Sequence, residues 1–305
     1  MPIIAASPPI SVTPGGFDYV TVDSVHRRVY AAHGPALLIV DADKGTVIGT
    51  VRLGGSAGSA PNVATGNVYV GDGDAKAISE VDPAGLREVH RVSVDGPVDA
   101  IAYDPQMQRI YGDEDDGTRI FVIDATTFKQ VGIVTVPGHK PEYLQINPAT
   151  HEIYQNIDTN SEIAVIDSGT MAVTRTIATP EILHNHPLQY DAPFDTLIVG
   201  GTNNKMSGYS SAGKQLWSIA YPSRVDQCDL DVSRQLMACA GGGGITLLKI
   251  NQNAAPQIVG TLAVSPGIHT VGIDPKTGDI WGVWGVRASG NTPAAAYVQR
   301  FRYQQ

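Results

Sequence analysis

The chain has 305 residues, 42% of them hydrophobic, with 33 Gly, 20 Pro and a formal net charge of −9. That charge disfavours nucleic acid or an anionic membrane surface as a partner, and no run of about 20 apolar residues is present to insert into a bilayer. Length alone allows two domains, but a continuous repeat predicts a single one over residues 1–305.

In chain order, Met1 to Ser7 is too short for a signal peptide. Next comes Ile10-Ser11-Val12-Thr13-Pro14-Gly15, which matches Val92-Ser93-Val94-Asp95-Gly96 and Val134-Thr135-Val136-Pro137-Gly138, each the last strand of a four-strand repeat. From Val20, VTVDSVHRRVYAAHGPALLIVDADKGTVIGTVRL reads as four short β-branched runs separated by turn residues. A weaker copy begins near Ser56, clear copies run from Ile101 and Leu144, and weaker ones follow near Ile182, Arg224 and Ile268. The period, about 42 residues, falls in the propeller range and is too strand-rich for a helical solenoid. An all-β, seven-bladed β-propeller of four-stranded antiparallel blades is therefore expected. The last copy has no fourth strand after Tyr297-Val298-Gln299-Arg300-Phe301. The N-terminal strand, about residues 8–14, is expected to complete that blade and close the ring, which also covers exposed strand edges.

Two repeats carry I-x-V-I-D, at Ile120 to Asp124 and Ile163 to Asp167, followed by a Thr-containing turn and a T-I or T-V strand. In this the chain resembles the YVTN-repeat, YncE-like β-propellers over nearly all of its length. The resemblance implies a periplasmic or secreted protein with its ligand on the face where first strands begin, or in the central channel. It does not choose among the binding proteins, lactonases, lyases and oxidoreductases that share this fold.

Five positions before the Asp or Asn that ends each first strand, six of the seven copies have a titratable residue: Asp18, Asp99, Glu142, His186, Asp226 and His269. In a closed ring these face one axis. Four carboxylates and two imidazoles gathered there would repel unless a cation intervenes. A divalent metal, zinc, manganese, iron or copper, is the expectation, since imidazole is uncommon around magnesium. A solvated acidic channel and a site for a non-metal polar ligand are the alternatives. His184 stands two residues before His186, on the same side of an extended strand. His184 or His33 is expected to move a proton and Arg224 to orient an anionic substrate, with Lys140, Arg287, Tyr143 and Asn203 completing the substrate site. Each cation has an equally good reading as a salt bridge to neighbouring acids.

Loops between second and third strands should crown the same face. The run Asp113-Glu114-Asp115-Asp116 reads as a solvated turn, because it lacks calcium-loop spacing, and Gly241 to Gly244 as space over the channel. Cys228 and Cys239 read as buried free thiols, although a cross-strand disulfide is geometrically possible. The function expected is a metal-dependent hydrolase or lyase acting on a small carboxylated or lactone-type substrate. The alternative is a non-catalytic propeller that binds a peptide, glycan or protein partner.

Overall fold

Runs such as Ala36–Asp41, Arg119–Asp124 and Glu162–Asp167 are apolar at nearly every position, which suits strands covered on both faces. In the computed structural model, which describes residues 3–252, 254–290 and 292–304, each is the third strand of a four-stranded antiparallel sheet. Seven such blades form a ring, and successive side chains of one strand face opposite neighbours. Leu37 and Ile39 pack with Val68, Val70 and Val81 of the following blade, whereas Leu38 and Val40 pack with Trp281 and Val283 of the last one. Burying each such side chain contributes about 1.5–3 kcal/mol, so the contacts between blades are the core. Among the described residues, regular helix is confined to two 3₁₀ turns, Asp158–Asn160 and Ala192–Phe194, and no helix is long and apolar enough to cross a membrane.

The first strands lie innermost, each touching the first strands of its neighbours: Val20–Asp23, Ser56–Asn62, Val98–Asp104, Pro141–Ile146, Leu188–Asp191, Gln227–Asp231 and Thr270–Ile273. The Asp or Asn at the end of each explains a constant of the repeat. Asp23 accepts the amides of Val25 and His26, Asp104 those of Gln106 and Met107, and Asp231 those of Ser233 and Arg234. These are local turns closed by a side-chain carboxylate. Several of the same residues also staple neighbouring blades: His151 Nδ1 lies 2.7 Å from Asp104, and Arg27 lies 2.6 Å from Asp274 across the ring closure. The Asp of I-x-V-I-D works the same way, for Asp124 Oδ1 accepts from the amides of Thr126 and Thr127 and from the Thr127 hydroxyl.

The ring closes through the N-terminus, earlier in the chain than its pattern indicates. Ile10–Val12 pairs with Val298, Tyr297 and Ala296, and Ile3–Ala6 pairs with the remainder of the strand Ala295–Gln304. The first pairing is expected from residues 8–14; the second lies outside that span because Pro8 and Pro9 interrupt the edge, while Gln299 Nε2 donates to the Ser7 carbonyl.

Three further expectations need correction. Cys228 and Cys239 are directly opposed and joined by a disulfide, not free thiols. The acidic run is half structural: Asp113 and Glu114 end a buried strand, Glu114 paired with Arg119, and only Asp115 and Asp116 are exposed. The glycine run does not open space. A Cβ on Gly241 would lie 2.2 Å from the Arg224 carbonyl oxygen, and Gly242 and Gly243 have φ of +60° and +88°, so glycine is needed for close backbone approach.

Candidate functional site

The residues just before the first strands converge at one mouth of the channel. His186 is the centre of the arrangement. Its Nε2 lies 2.7 Å from Asp226 and its Nδ1 3.1 Å from Glu142, so the ring bridges carboxylates from the blades on either side. Burial disfavours the charged ring, but the hydrogen bonds to Asp226 and Glu142 prevail and raise its pKa to about 10. Against their own burial, the same contacts lower the pKa of Glu142 and of Asp226. His186 is therefore an imidazolium between two carboxylates.

Lys140 Nζ sits 2.9 Å from Glu142 and 3.9 Å from Asp158, and His184 Nδ1 3.0 Å from Asp158. Both Lys140 and His184 have left-handed backbones, φ 60° and 54°, which marks the entry to their first strands as locally strained. His269 presents Nδ1 to the Gly267 carbonyl at 3.0 Å and Nε2 to the Phe17 carbonyl at 3.1 Å; both contacts are hydrogen bonds only when the ring donates from each nitrogen.

The remaining carboxylates are less well matched. Asp18 is raised to about 6 by burial, a rise that His269 opposes and Glu142 adds to. Asp99 accepts from Tyr19 Oη at 3.1 Å, and burial, reinforced by Asp18 and Asp113, holds its pKa well above the usual carboxylate range. Asp113 accepts from the Ala100 amide at 2.6 Å and from Gln155 Nε2 at 2.9 Å, and burial raises it too. Among the described residues, none of these three is within salt-bridge distance of a Lys, Arg or His. The seventh blade position is Ala57, so blade two leaves the ring open between Asp18 and Asp99.

Below the mouth, a β-bulge between Glu142 and Leu144 turns Tyr143, φ 59°, into the channel. Its hydroxyl reaches the Cys228 carbonyl two blades away at 3.3 Å, while Tyr19 reaches Asp99 two blades away in another direction. The two rings, centroids 5.8 Å apart, both line a chamber of about 290 Å³.

Not every residue singled out in the sequence reaches the mouth. His33 stacks on Phe17 with centroids 4.3 Å apart and contacts the carbonyls of Thr13 and Gly16, so it fastens the closing N-terminal segment. Asn203 ties its own loop to Glu181 and Leu183. Arg224 is exposed beside Asp226, and Arg287 is exposed on its loop. Among the described residues no group of three or more His, Cys, Asp or Glu side chains is arranged to hold a metal ion. Both imidazoles of the ring already contact protein oxygens through both nitrogens, so a metal there would have to displace them. Sequence reasoning passed over Asp229, three residues beyond Asp226. Its one signal is that the other blades have Thr21, Ala60, Ala102, Gln145, Gln189 and Gly272 at that position.

No family model and no curated protein matches the chain. Solved structures do. It is similar to hydrazine synthase of Kuenenia stuttgartiensis, with a TM-score of 0.78 and 15% identity over 90% of this chain and 94% of that one. It is also similar to the WD40 repeats of RRP9, with a TM-score of 0.83 and 8% identity over 99% and 97% of the two chains. At such identities the likeness defines the class, a seven-bladed β-propeller, and carries no function with it.

Proposed function

We propose that the chain is a non-catalytic binding propeller whose acidic channel mouth receives a cationic group, a Lys or Arg side chain, presented by a peptide or protein partner. The observation that carries this reading is the engagement of both His186 nitrogens by Glu142 and Asp226, beside three carboxylates, half-buried Asp18 and Asp99 and buried Asp113, that have no cation of their own among the described residues. An imidazolium that keeps its proton to about pH 10 is a poor general base at neutrality. A guanidinium or ammonium entering the gap left at Ala57 would meet Asp18 and Asp99 and relieve their repulsion. The test is titration of a fluorescent tetra-arginine peptide, with a tetra-glutamate peptide beside it. Only the basic peptide should bind, more weakly as salt rises, and an Asp18→Asn/Asp99→Asn variant should lose it. No binding of the basic peptide at low salt would overturn the reading.

A second reading, a metal-dependent hydrolase or lyase on a small carboxylated or lactone-type substrate, draws on the convergence of Asp18, Glu142, His186, Asp226 and His269, which lie close enough to shift one another's protonation. Near-stoichiometric zinc, manganese, iron or copper in protein purified without chelator, lost in a His186→Ala/His269→Ala variant, would favour it over the first.

Export to the periplasm or beyond is part of the proposal. It is supported by the resemblance to YVTN-repeat propellers and by the Cys228–Cys239 bridge, since disulfides persist in oxidising compartments. Mass spectrometry of alkylated, unreduced protein from native cells would show two blocked thiols if this is wrong.

A further inference from the structure

The chamber that the tyrosine pair lines belongs to no part of the mouth site. We propose that it is a second binding site, for a compact organic cation of the quaternary ammonium class.

Its existence follows from blade two. Residues 56–61 of the first strand there read Ser56-Ala57-Gly58-Ser59-Ala60-Pro61, with no side chain larger than proline, so the channel wall recedes on that side: Gly58 and Ala60 stand where blade one has Tyr19 and Thr21 and blade four has Tyr143 and Gln145. The space, about 290 Å³, suits a small molecule and is lined by residues of the first four blades that present polar and apolar surface in near-equal shares.

One charged residue faces it, Asp229 from the sixth blade. Each carboxylate oxygen accepts one backbone amide, Oδ1 that of Leu230 at 2.9 Å and Oδ2 that of Ile273 at 2.7 Å. A carboxylate has about four acceptor sites, so half of its capacity remains. Among the described residues no Lys, Arg or His is within salt-bridge distance of it, and burial raises its pKa. An acid partly withdrawn from water without a countercharge is costly unless a cation arrives. Tyr19 and Tyr143 line the same space, and aromatic faces attract ammonium groups. Compact size, aliphatic side chains such as Ile101, Leu144 and Ile146, aromatic rings and one uncompensated carboxylate together describe a site for a small ammonium ion with apolar substituents.

The probe is choline, compared with its uncharged isostere 3,3-dimethylbutan-1-ol, by isothermal titration calorimetry on the full chain. Choline should bind saturably and the isostere at least about tenfold more weakly, a difference worth one charge contact. Asp229→Asn should abolish the preference for the cation, while Tyr143→Leu, which leaves the carboxylate, should weaken choline several-fold. Asp18→Asn, which tests the mouth and leaves the Tyr19–Asp99 hydrogen bond in place, should leave choline unaffected, so the two sites fail separately. Should Asp229→Asn not fold, the Tyr143→Leu result and the isostere comparison decide. Equal binding of choline and its isostere, no binding of choline, or loss of choline in the mouth variant alone would overturn the proposal.

Discussion

Three inner strands of this propeller, in blades one, three and six, have an acid at both ends, and the two ends treat them differently. At the ends of the strands, Asp23, Asp104 and Asp231 accept turn amides, and each has a His or Arg within 2.8 Å. At the strand starts, among the described residues, Asp226 has His186, but Asp18 and Asp99 have no amide and no cation at bonding distance, and burial pushes their pKa upward. The same residue type is thus a saturated structural staple on one face and an unmatched charge on the other. Unmatched buried charge is tolerated when it has a use, which directs attention to the strand starts.

Substitutions at each end should separate these roles. The largest effect is expected for His186→Ala, which leaves Glu142 and Asp226 buried without their shared cation; chemical denaturation should show a loss of about 3 kcal/mol. Because His186 is raised from 6.5 to about 10, its contribution is complete below pH 6.5 and disappears as pH rises through about 10. The wild type and the variant should therefore converge in stability above that pH. Replacing Cys228 and Cys239 together by Ser should cost about 2–3 kcal/mol, as for a loop of this length, with reductant destabilising the wild type alike. A variant as stable as the wild type would mean that the bridge does not form.

Asp104→Ala removes an acceptor of two turn amides and the partner of His151, and should cost about 2 kcal/mol in denaturation while the folded fraction binds basic peptide normally. Asp18→Asn should do the reverse and give the smallest change in stability. A carboxyl raised from 3.8 to about 6 holds its proton more tightly when folded, so ionisation costs stability as pH rises across that window. The variant should gain on the order of 1–2 kcal/mol over the wild type at pH 8 and nothing at pH 3, as thermal melts at the two values would show.

The blades were readable because their signals are local and repeated. An Asp that closes its own turn, as Asp124 does with Thr126 and Thr127, leaves the same mark in the first four copies, at Asp41, Asp82, Asp124 and Asp167, and strands covered on both faces read as nearly unbroken apolar runs. The ring position was readable for the same reason, since a repeat aligns Asp18, Glu142 and His186 even though they come from different blades. Pairing was not. Nothing local says that His186 faces Glu142 and Asp226 while His33 turns back to the Thr13 and Gly16 carbonyls, because these contacts join segments that only ring closure brings together. Asp229 escaped notice because one acid in a strand is unremarked until the small residues of blade two, far off in sequence, are seen to leave it facing a cavity.

The central claim is that the strand-start acids bind and the strand-end acids build. It is tested most directly by titrating tetra-arginine peptide into the wild type, Asp18→Asn/Asp99→Asn and Asp104→Asn at one low salt concentration, each confirmed folded by circular dichroism. Binding by the wild type and by Asp104→Asn, with at least about tenfold loss in the strand-start variant, is the predicted result. Equal affinity in all three proteins, or loss in Asp104→Asn alone, would contradict it.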